Sequence, residues 1–194
     1  MPLYIPEQHV TYRIVGIDPG LANLGFAVYT VSYATGEILS VEAFTLVNDK
    51  LPDYTGLDME IVPERTVKLY KLKSAIQWYL QYYGPVHVIC EAPFYNRFMP
   101  MAYGALLEVV NVIYAAVLEW NPNIGFHTVA PLLVKKLVGT KAVKNDSLKG
   151  KELVKSGVMA IPEIMNVLQT PIHTLSEHAI DAIAVGYTVF NQKG

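Results

Sequence analysis

The chain has 194 residues, 52% hydrophobic and 16% charged, which excludes a disordered segment and suffices for a sizeable core, most simply as one domain spanning 1–194. A formal net charge of −2 excludes a general polycation, so any basic surface for nucleic acid has to be local. One cysteine, Cys90, excludes an internal disulfide or a cysteine-rich zinc site and fits a reducing compartment.

The first twelve residues, MPLYIPEQHVTY, lack the basic start and apolar centre of a signal peptide and form an N-terminal extension. Arg13 to Gly20, RIVGIDPG, reads as a short strand ending in a carboxylate and a Pro-Gly turn. At the end of a buried strand an unpaired Asp18 is costly, so a cation, metal or basic partner is needed beside it. Leu24 to Ser32 and Ile38 to Val47 read as two more strands, and the short turns between the three imply an antiparallel meander. Asn48 to Pro63 reads as a surface loop. Glu64 to Tyr83 has helical spacing (Val67, Leu69, Leu72, Ile76, Leu80) and stops at Gly84-Pro85.

Val86 to Cys90 is a buried strand that again delivers a carboxylate, Glu91, followed by an aromatic loop with Phe94, Tyr95, Arg97 and Phe98. Met101 to Trp120 reads as a long helix apolar on more than one face, suited to burial on two sides. Its stretch from Ala102 to Leu118 is interrupted by Glu108 and Asn111, so no membrane span is expected. A strand from Ile124 to Val129 and a helix opened by Pro131 follow. From Val134 to Lys155 seven lysines stand against two acids. Ser176 to Phe190 closes the chain as a helix with Ser176 as N-cap. The order implies an α/β fold, a mixed five-stranded sheet with helices on both faces.

The chemistry concentrates in three places. Asp18 and Glu91 each end a strand, the side on which open α/β sheets bind ligands. In the last helix His178 and Asp181 are three residues apart and share a face. Three carboxylates and an imidazole make a site for hard divalent ions: Mg²⁺ from the oxygens, tilted toward Mn²⁺ by the imidazole. Two such ions per site suit phosphodiester hydrolysis. Each residue also has a plainer reading. Asp18 fits a turn bonded to its own backbone, Glu91 an ion pair with Arg97, His178 a buried structural histidine, Phe94 a core aromatic, and the lysine run a solvated face. His9, His87, His127 and His173 are assigned no role.

GIDPG after the first strand, ICEAPF after the fourth and HAIDAIAVG in the last helix together resemble the RuvC family of Holliday junction resolvases, which have the RNase H-like fold. The resemblance spans about Arg13 to Phe190. It implies catalytic and metal-ligating roles for Asp18, Glu91, His178 and Asp181. Many members carry aspartate where this chain has His178, and Glu177 is the ligand if the helix is rotated. The resemblance further implies that Phe94 contacts bases at the junction centre and that Lys135, Lys136 and Lys144 bind DNA. It also implies a homodimer packed through the 101–120 helix, with four-way DNA junctions as partner and no membrane. The expected activity is junction cleavage assisted by two Mg²⁺ or Mn²⁺ ions per site, in the cytoplasm of a bacterium or phage-infected cell or another reducing, DNA-containing compartment. Cleavage of other branched DNA or RNA, or junction binding without cleavage, are the alternatives. Actin-like ATPases and sugar kinases also open on a strand-Asp-x-Gly loop, but need a second such domain and a Gly-rich adenosine motif, both lacking here.

Overall fold

The computed structural model describes residues 10–52, 61–95, 97, 100–139 and 150–191. Five strands, β1 (Thr11–Asp18), β2 (Asn23–Ser32), β3 (Ile38–Val47), β4 (His87–Glu91) and β5 (Gly125–Val129), form one sheet in the order β3-β2-β1-β4-β5. The first three make an antiparallel meander, and β4 and β5 extend it in parallel from β1. The mixed five-stranded sheet read from the sequence is the sheet observed.

Side chains alternate across a strand, and that alternation sorts the core into two layers. Val15, Ile17, Phe26, Val28, Val88 and Cys90 pack against α1 (Glu64–Tyr83) and α2 (Pro100–Trp120). Ile14, Ala27, Tyr29, Val41 and Ile89 face the other way, toward α3 (Pro131–Leu137), α4 (Gly150–Met159), α5 (Pro162–Met165) and α6 (Glu177–Tyr187). α1 stops where expected: Gly84 adopts the left-handed conformation (φ 57°) and its N–H returns to the Leu80 carbonyl.

α4 and α5 lie where the sequence shows only a lysine-rich run and its sequel. Val154 and Val158 carry the buried stripe of α4 among the described residues, one line of apolar contact with Gly157 beside it. α6 ends at Tyr187, and a 3-10 turn, Thr188–Asn191, takes over the stretch read as its last turn. In α2 the Met101–Trp120 stretch is, by length and composition, apolar enough to cross a membrane, Glu108 and Asn111 notwithstanding. Val109, Ile113, Ala116 and Val117 of that helix are fully buried against the sheet layer, as in a core helix. Its opposite side is exposed, including Leu107, Asn111, Tyr114 and Leu118.

α6 has the tightest seat in the molecule. A Cβ at Gly16 would overlap the Ala182 carbonyl and the Gly186 backbone, and one at Gly186 would overlap the Tyr29 ring. Facing glycines thus let helix and sheet approach closely, and the Tyr29 hydroxyl donates to the Ile183 carbonyl. Gly16→Val overpacks this seam, at a cost of about 3 kcal/mol. A thermal melt should show Tm about 6–12 °C below wild type; an unchanged Tm would contradict the seam.

Candidate active site

The site is built by register. Asp18 pairs with Gly25 of β2, and Gly25 with Thr45 of β3. On the other side Ile17 pairs with Cys90, so Asp18 and Glu91 follow at one level, and Glu91 pairs with Val129. Asp18 is two residues beyond Gly16, and Glu91 two beyond Ile89, so both carboxylates point to the face covered by α6.

The first turn of α6 crosses this row. Ser176 caps it, its Oγ accepting from the Ala179 N–H, and the same hydroxyl meets Thr45 Oγ1. The His178 carbonyl lies where a Cβ on residue 25 would be, so Gly25 is the floor on which the turn rests. The His178 ring then reaches Asp18, with Nδ1 2.8 Å from Oδ2, although 160 positions separate them in the chain. Its other nitrogen is 3.8 Å from Glu177 Oε1. Of the two ligands left open by the sequence, His178 therefore faces Asp18, and Glu177 flanks the outer side of its ring.

Asp18 is buried, 9% exposed. Burial, together with the charges of Asp18 and Asp181, pushes the Glu91 carboxyl up to about 7, while the Lys135 ammonium opposes the rise. Three acids distant in sequence thus act on one another at one end of the sheet. Oxygen donors with a single imidazole suit a hard divalent cation, and a cation among them relieves the mutual repulsion felt at Glu91. Among the described residues no three His, Cys, Asp or Glu side chains close around a common point, so holding an ion requires side-chain rotation. The donor chemistry fits; a closed cage is not preformed.

Of the remaining sequence-derived residues, Lys135 acts on Glu91 from α3. Phe94 and Tyr95, on the loop after Glu91, are each 59% exposed, and Tyr95 sets its ring edge-on to Tyr103. Lys135 and Lys136 are exposed on α3. Lys144 and Phe98 lie outside the described residues. Asp181 also lines a cleft of about 210 Å³ with Glu152, Lys155 and Glu177. Sequence reasoning passed over Gly25 and Thr45. The signal was present: pairing three strands of a meander in register places both opposite Asp18.

No family model and no curated protein matches this chain. Solved structures with the same fold do. Thermus thermophilus RuvC in complex with a Holliday junction substrate aligns with TM-score 0.57 and 19% identity over 91% of both chains. Thermus thermophilus RuvC in a further structure gives 0.56 and 19%, over 91% of this chain and 92% of that one. The yeast mitochondrial Holliday junction resolvase Ydc2 gives 0.60 and 13%, over 92% of this chain and 77% of its own. The chain therefore has the RuvC type of RNase H-like fold.

The electrostatics carry a stability consequence. The Glu91 carboxyl titrates higher in the folded protein than its ordinary 4.5, so folding favours its protonated form. That contribution is present below about pH 4.5 and is lost as pH rises through 7. In chelator, Glu91→Gln should gain stability relative to wild type between pH 5 and pH 8, by on the order of 2 kcal/mol. Urea melts across that range check it; a pH-independent difference would contradict the coupling.

Proposed function

We propose that this protein is a metal-dependent endonuclease that cuts branched DNA, with four-way junctions as its preferred substrate. The observation that carries the reading is the coupling of Asp18 and Asp181 to Glu91 at one sheet end, where burial and those two charges push the Glu91 carboxyl up to about 7. The fold shared with a resolvase bound to a Holliday junction supports the choice of substrate.

Asp18, Glu91 and Asp181 would hold Mg²⁺ or Mn²⁺, with His178 as a further ligand or as the group orienting the attacking water. When bound, such an ion pair supplies Lewis-acid activation of that water and charge neutralisation at the leaving oxygen. The chain's own contribution is position. Asp18 ends the central strand of the sheet, and its hydrogen bond to His178 Nδ1 aims both groups. Phe94 presents an aromatic face beside the acids, on which an unstacked base can rest. Lys135, Lys136 and Lys144 would contact phosphates, making binding salt-dependent. The products would be 5′-phosphate and 3′-hydroxyl ends.

The exposed side of α2 has a further use. Leu107, Asn111, Tyr114 and Leu118 recur at spacings of four and three, the seam of a helix pair. A second copy packed there would form a homodimer with two sites for paired nicks.

Labelled four-way junction, flap, duplex and RNA substrates, each incubated with Mg²⁺ or Mn²⁺, separate the readings. Wild type should cut the junction first. Asp18→Asn should bind it with unchanged affinity and cut on the order of 10³-fold more slowly. Full activity in that variant refutes the assigned role, and preferential cutting of RNA or flaps moves the substrate class. Junction binding with no cutting by wild type indicates a binding protein. For the dimer, Leu107→Glu with Leu118→Glu should convert the species seen by light scattering from two copies to one; a wild type that is already monomeric excludes the α2 interface.

A further inference from the structure

At the other end of β4, away from the acids, two imidazoles face each other across the sheet surface. His87 opens β4, and His127 lies in the middle of β5. The parallel register pairs His87 with Gly125 and Ile89 with His127, so the two histidines project from one face with Gly125 between them. Their ring centroids are 5.8 Å apart at an interplanar angle of 40°. Both rings are exposed, and they border a cleft of about 250 Å³ that Thr188 and Val189 also line.

Gly125 lets the two rings approach the strand between them. A Cβ on residue 125 would overlap His87 Nδ1 and lie 3.0 Å from His127 Nε2. A nitrogen of each ring therefore comes within 3.0 Å of one point above residue 125, and the His87 ring lies so close to the strand only because residue 125 has no side chain. Gly125 φ is not positive, so backbone conformation does not demand glycine there. Two imidazoles on one face, with ring centroids 5.8 Å apart and a nitrogen of each brought near a common point, can share a transition-metal ion, which binds histidine nitrogen at about 2.0–2.1 Å. Imidazole selects borderline ions such as Zn²⁺, Ni²⁺ and Cu²⁺ over Mg²⁺, which prefers oxygen.

We propose that His87 and His127 form a two-histidine site for a borderline divalent transition ion, bridging β4 to the edge strand β5 and leaving further coordination positions open to solvent. It differs in donor class from the oxygen-rich site at Asp18, and its existence does not depend on the nuclease reading.

Cu²⁺ is the probe, because its electron paramagnetic resonance spectrum counts coordinated nitrogens. The experiment uses the full chain carrying His178→Ala, which removes the imidazole of the carboxylate site. Titration should show one Cu²⁺ bound per chain with splitting from two imidazoles, and a hundredfold excess of Mg²⁺ should not displace it. His87→Ala and His127→Ala, each added to that background, should weaken binding by more than about tenfold and reduce the splitting to one nitrogen at most. Both positions are exposed, and circular dichroism verifies that the variants are folded. Absence of stoichiometric binding, or a two-nitrogen spectrum that survives either substitution, overturns the site.

Discussion

The close seat of α6 on the sheet is the constraint on which the rest of this molecule depends. Gly16 and Gly186 remove the side chains that would hold helix and sheet apart, and Gly25 does the same beneath the first turn. Without that approach the His178 ring could not reach Asp18, nor could Asp181 act on Glu91. The glycines contribute nothing chemical. They set the separation at which the chemistry becomes possible, because a packed interior yields to an added methyl only by shifting its neighbours.

Around that seat, burial and electrostatics pull in opposite directions. The two apolar layers stabilise the fold by removing Val, Ile and Leu side chains from water. At its upper edge the same sheet gathers acids, and burial, with the charges of Asp18 and Asp181 added, pushes the Glu91 carboxyl up to about 7. Such concentration of like charge at a strand end is disfavoured in a merely structural element. A bound cation, as proposed above, would relieve that repulsion, and with no closed cage among the described side chains its final geometry would be set by the ion and substrate.

The two metal-binding readings divide by donor chemistry and by position along β4. Glu91 at its C-terminal end contributes oxygen; His87 at its N-terminal end contributes nitrogen. A single five-residue strand thus carries a hard and a borderline donor at opposite ends. α2 shows a similar division of labour, one side buried in the core and the other exposing Leu107, Tyr114 and Leu118. The ion pairs joining it to α1, Arg65–Glu108 and Lys73–Glu119, are exposed and contribute little to stability; they keep the flanks of that helix polar.

Local pattern alone determined the elements whose signals are local. β3 and α1 begin and end where alternation, helical spacing and the Gly84-Pro85 stop place them, and Asp18 and Glu91 were legible as acids closing apolar strands. The HAID spacing put His178 and Asp181 on one face. Weak local signal hid α4, whose buried stripe is two valines in a lysine-rich run. Pairing was decided by tertiary structure alone. That His178 rather than Glu177 meets Asp18, that Thr45 anchors Ser176, and that His87 and His127 confront one another over Gly125 all follow from strand register and the depth of a helix on a sheet. Those quantities join residues 40 to 160 positions apart, and the periodicity that fixes a residue's face within one element carries no information about which partner it will face in another.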